Sequence, residues 1–223
     1  MNKLISNAVT NILSFFDLSG SSLIGSAAGD AFLRVMNKRI SAARDVLLEE
    51  LENGKVLPNT VIDEDECVAV TYRYSRAAME GTARLNLRLL TKSLIGDLNE
   101  SRLSADRFLY YADVISSLTR AEIHLIAALL KARATTTEDQ YYSVAHASTA
   151  YEQAFNLLVP HVFRDGLELK VSAAALTRHG LVFSYGGIGG GTTYGLSPLV
   201  DEFMSLAEFE DALRKEGIKA SGD

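Results

Sequence analysis

At 223 residues the chain has room for one large domain or two small ones. Its 48% hydrophobic and 22% charged residues exclude a disordered chain, a collagen and a disulfide scaffold. A net charge of −6 argues against a non-specific grip on nucleic acid, which depends on neutralising phosphates, and the single cysteine, Cys67, fits a reducing, cytoplasmic setting.

Residues 4 to 29 carry one charge, Asp17, but Ser, Asn, Thr and Gly interrupt the stretch well short of the run a membrane span needs. It also lacks the basic start and unbroken apolar centre of a signal peptide. Ile5, Val9, Ile12 and Phe16 instead share one helix face. Its polar side is Ser and Asn rather than Lys and Arg, so packing or partner binding is expected over peripheral membrane contact by residues 1 to 18.

A helix is expected from Asp30 to about Leu51, with Phe32, Val35, Met36, Ile40, Ala43, Leu47 and Leu51 on one stripe. Gly54 and Pro58 end it. Asp63 with Glu66 three residues later is a capping-box pattern, and Asp63 to Glu66 all favour a helix N-terminus. Calcium would need spaced oxygen ligands around a glycine turn. One long apolar-periodic helix follows, to about Ile95 and Gly96. The next covers Ser104 to Ser117, and Thr119 with Glu122 caps another, with Leu118 and Ile123 placed as a hydrophobic staple. Beyond a polar loop, helices are expected from Asp139 to Leu158 and from Leu167 to His179, stopped at Pro160 and Gly180. LVFSY and TTYGL read as two strands around a glycine tip. Ser197 and Pro198 then start a helix to about Lys215.

Few residues promise chemistry. Read from Gly187, the cluster Gly186 to Gly191 puts Thr192 where a dinucleotide loop needs its last glycine, and a strand follows where a helix is required. A P-loop lysine is absent, so the cluster reads as a hairpin tip. His124, His146, His161 and His179 are scattered without metal-ligand spacing, and carboxylates beside Cys67 oppose a thiolate. No catalytic residues and no cofactor are therefore expected. On one continuous helix, Arg73, Arg76, Arg84, Arg88 and Lys92 would fall on a single face, with Glu80 between them and Gly81 allowing a close approach. That stripe could bind an anion or an acidic partner, but pairing with the chain's own 28 carboxylates is preferred.

The segments TRAEIHLIAALLKA, VSAAALTRHGLVFSY and TTYGLSPLVDEFM resemble a winged-helix module, with Leu176, Gly180, Leu181 and Val182 at the third helix and Tyr194, Leu196 and Ser197 in the wing. The whole is similar, more faintly, to bacterial abortive-infection proteins of the alpha type, which join a helical region to such a unit. A winged helix implies a third helix in the DNA major groove, here offering Lys170, Arg178 and His179. Charge opposes this: residues 118 to 223 hold 9 basic and 13 acidic side chains, and none between Arg178 and Arg214 is Lys or Arg.

The expected fold is mainly α, with a helical region at 1–117 and a winged-helix-like unit with one β-hairpin at 118–223. The expected protein is a soluble, non-catalytic interaction or regulatory protein, for which the resemblance to abortive-infection proteins implies a role in phage defence. A winged-helix transcriptional regulator is the alternative. The apolar stripes at 5–16 and 32–51 point to a homo-oligomer.

Overall fold

The computed structural model describes residues 30–53, 64–99, 104–135, 141–186, 191–203 and 206–217. The chain forms two compact units, Met1–Ser117 and Leu118–Asp223. Among the described residues there are nine helices and one two-stranded antiparallel hairpin, so the fold is mainly α. No helix among them is long and apolar enough to cross a membrane. The expected helix at residues 5–16, the Asp63 cap and the glycine tip at 187–190 lie outside the described residues.

The first unit contains α1 (Asp30–Asn53), α2 (Glu64–Glu80), α3 (Arg84–Asn99) and α4 (Ala105–Ser117). Ile40, Ala43 and Leu47 carry the apolar stripe of α1 into the core, whereas Phe32 and Val35 at its start are exposed. The core gathers Val70, Tyr74 and Ala77 of α2 and Phe108, Tyr111 and Ile115 of α4 around α3. Nearly every side chain of α3 from Leu85 to Leu98 is buried, including Asn86, Arg88, Thr91, Ser93 and Asp97. Buried polar groups need partners. Asn86 Nδ2, for example, donates to the Ile115 carbonyl at 2.6 Å. Glu66, expected in a cap of its own helix, reaches α4, where its carboxylate accepts the Ala105 N–H.

The long helix expected through Ile95 is two helices, α2 and α3, divided at Gly81. Gly81 has φ +92°, a left-handed conformation that glycine adopts without steric cost. The Gly81 N–H donates to Ala78 O at 3.1 Å and the Thr82 N–H to Ala77 O at 3.1 Å. That pair of bonds is a Schellman motif, which satisfies the last carbonyls of α2. Arg39 completes the end, donating from Nη1 to Met79 O at 2.8 Å.

The second unit runs α5 (Arg120–Arg133), α6 (Val144–Leu158), α7 (Gly166–Thr177), β1 (Val182–Gly186), β2 (Thr192–Leu196), α8 (Leu199–Phe203) and α9 (Leu206–Lys215). Helix α5 is its buried centre, held at the start by the full capping box of Thr119 and Glu122, with Leu118 and Ile123 both buried. Helix α6 begins at Val144 rather than Asp139 because the Ser143 hydroxyl accepts the His146 N–H at 3.1 Å. Helix α7 starts on Asp165, whose carboxylate accepts the Leu167 and Glu168 N–H groups at 3.0 and 2.9 Å.

In the hairpin, Val182 pairs with Leu196 and Gly186 with Thr192. A Cβ on Gly195 would lie 2.8 Å from the Ala147 Cβ, so the missing side chain lets α6 lie close on β2. The helix expected from Ser197 to about Lys215 is described over α8 and α9, on either side of residues 204–205, which lie outside the described residues. The Ser197 hydroxyl donates to the Gly180 carbonyl and accepts the Leu199 N–H at 3.2 Å, tying the strand exit to the start of α8. Asp201 on α8 receives Arg133 of α5 in a bidentate pair and the Tyr142 hydroxyl at 3.0 Å.

Candidate functional site

The break at Gly81 removes the single helix on which the basic stripe depended. Arg73 and Arg76 sit on α2, and Arg84, Arg88 and Lys92 on α3. Each faces a carboxylate of its own unit. Arg73 pairs with Asp113 of α4, and Arg76 with Glu80 at 2.8 Å in an exposed pair one turn apart. The α3 residues converge on the end of α1: Arg84 lies 3.6 Å from Glu49, Arg88 reaches Glu49 at 3.0 Å and also Glu50, and Lys92 lies 3.1 Å from Glu50.

Arg88 and Glu50 are 1% and 2% exposed, so this is an ion pair inside the core. A buried charge is costly unless paired and hydrogen-bonded, and here Lys92 and Glu49 extend the pair into a network. Tyr74 lies beside it. Its hydroxyl donates to Ala43 O at 3.1 Å, and burial pushes the phenol well above its usual range. These contacts give the α3 cations a structural occupation, joining α1 to α3.

The residues expected to touch DNA lie on or just after α7. Lys170 and Arg178 are exposed and His179 is half-buried. Arg178 Nε donates to His179 Nε2 at 2.9 Å. Burial, then Arg178, holds the His179 imidazole below its usual pKa, with Glu122 opposing. The outward face of α7 is otherwise apolar: Leu167 is 71% exposed and Val171 61%, and Ala174 follows one turn later. Sequence reasoning counted the charges of this helix but not its outward apolar row, although the spacing Leu167, Val171, Ala174 was readable.

A second surface was not read from the sequence. An open groove of about 750 Å³ lies between α6 and the start of β2, lined by Val144, Ala145, Tyr151, Glu152, Phe155 and Thr193 among others. Tyr151, Glu152 and Phe155 occupy adjacent positions on one side of α6. The Tyr151 ring also meets Tyr194 with centroids 5.4 Å apart, and burial lifts its phenol to about 12. The signal was present in the sequence as aromatic residues at i and i+4, yet only folding shows that this side of α6 is open.

Among the described residues, no group of three or more His, Cys, Asp or Glu is placed to hold a metal ion. Cys67 is buried. No family model matches the chain, and no curated protein or solved structure matches it either.

Proposed function

We propose that this chain is a non-catalytic interaction or regulatory protein whose second unit, a winged-helix-like module, docks a protein rather than DNA. The outward face of α7 carries the reading. A groove-reading helix presents donors and cations to bases and phosphates. Here that position presents Leu167, Val171 and Ala174 beside only Lys170 and Arg178. Apolar side chains flanked by cations suit a partner with an apolar segment edged by carboxylates. The order of three helices, α5 to α7, followed by a hairpin supports the winged-helix likeness. A role in phage defence follows from the fainter resemblance to abortive-infection proteins, with the cytoplasm as the corresponding setting.

Salt-dependent DNA binding separates this reading from a transcriptional regulator. A labelled duplex pool at near-physiological ionic strength should give no submicromolar complex, and Arg178→Ala should change nothing. Submicromolar binding that disappears in Arg178→Ala would reverse the assignment.

Self-association is part of the proposal. Phe32 and Val35, 52% and 48% exposed on α1, give the first unit an uncovered apolar end. Light scattering at micromolar concentration should report a dimer or larger species that Phe32→Asp shifts towards monomer. A monomeric intact chain would end this part of the reading.

A further inference from the structure

We infer that the groove between α6 and β2 binds organic cations with an apolar body, such as aryl- or alkylammonium compounds, through Tyr151, Glu152 and Phe155. This stands on a different surface from the α7 face and does not depend on that reading.

The groove has the volume of a small-molecule site, and its walls include Val144, Ala145 and Phe155. Its described lining contains one charged side chain, Glu152, which makes no ion pair or hydrogen bond among the described residues. Tyr151 and Phe155 stand one helical turn apart, with Glu152 next to Tyr151 in sequence. Aromatic faces attract cations through their quadrupole, and a neighbouring carboxylate adds a Coulombic term of the same sign. An apolar body would be covered by the walls while its cationic head meets Glu152 and the rings. An anion of the same shape would meet the Glu152 charge unfavourably, and a neutral analogue would forgo both attractions.

The Tyr151 phenol, neutral at pH 7 even at its ordinary pKa of 10 and pushed further up by burial, brings no negative charge of its own. Thr193 is held at the opposite wall, its hydroxyl donating to Ala147 O at 3.3 Å. Gly195 permits the close seating of β2 on α6 that shapes this wall.

The test uses the full chain and three soluble probes with a common phenyl group: benzyltrimethylammonium, benzyl alcohol and phenylacetate. Titrations followed by amide chemical shifts should show saturable benzyltrimethylammonium binding that perturbs Ser148, Tyr151, Glu152 and Thr193. Benzyl alcohol should bind more weakly, and phenylacetate should not saturate. Glu152→Gln should weaken the cation about three- to fivefold, the scale of one exposed charge pair, without changing the melting temperature. Phe155→Leu should weaken it as well. Equal binding of cation and anion, an unchanged affinity in Glu152→Gln, or shifts confined to residues outside the groove would overturn the assignment.

Discussion

Arg88 and Arg76 are both arginines of the same expected stripe, yet their surroundings give them opposite weights. Removing the Arg88 side chain takes from the buried Glu50 carboxylate its equally buried guanidinium partner, and breaking a buried pair costs about 3–5 kcal/mol. Arg88→Ala should therefore lower the urea midpoint severely or prevent folding. Glu50→Gln, which keeps the shape, should give a smaller loss in the same direction. Arg76→Ala removes an exposed pair with Glu80, worth at most about 1 kcal/mol, and should leave the denaturation curve nearly unchanged. Equal effects of Arg88→Ala and Arg76→Ala would refute the network as a core element. The sequence showed the charges but not this inequality. Arg88 lies one residue from Leu87 and Leu89 on a helix buried around almost its whole circumference, and only the seating of α1 decides that Glu49 and Glu50 face it. Pairing with internal carboxylates was legible as a matter of number, while the partners required the tertiary fold.

At the scale of elements, starts were easier to read than interruptions. Thr119 with Glu122 declares the start of α5 because the capping box is a local exchange of hydrogen bonds, complete within four residues. The interruption at Gly81 was hidden because apolar periodicity runs on both sides of it, so the glycine looked like a point of close approach rather than a reversal. Gly81→Ala should cost about 1–2 kcal/mol, since a Cβ disfavours the left-handed conformation that the Schellman turn requires. Chemical denaturation would measure it, and a loss below the error of the fit would show that the turn readily finds another conformation. At the start of α7, Asp165→Ala should remove the oxygen that accepts two N–H groups and cost about 1 kcal/mol, with Asp165→Asn restoring much of it. If the alanine and asparagine variants lose the same stability, the carboxylate at Asp165 is not the cap that sets this helix.

Across the whole molecule, titration near neutrality falls unevenly on the two units. All four histidines belong to the second, and three of them have lowered pKa values. Burial depresses His124 with help from Arg120, and burial depresses His146 with help from Arg133. His179 is depressed by burial and Arg178, against Glu122. Each folded pKa therefore lies below the ordinary 6.5 of an unfolded imidazole. As pH falls through that value the unfolded chain takes up protons that the folded chain still refuses, so protonation favours unfolding. The stability these groups contribute is full above about 6.5 and is lost progressively towards their lower folded values. Glu168 acts in a lower window: the Arg164 N–H and guanidinium hold its carboxyl below 4.5, so its contribution persists until pH falls through that range. Melting temperatures should thus decline between pH 7 and about 5.5, before the carboxylates titrate. Hydrogen exchange, corrected for intrinsic rates, should place the first loss of protection in α5 to α7. Replacing His124, His146 and His179 together by Gln should flatten the decline, whatever it does to stability at pH 7. A wild-type profile already flat across that interval, or a triple variant that falls as steeply, would show that these imidazoles are not what the unit is titrating.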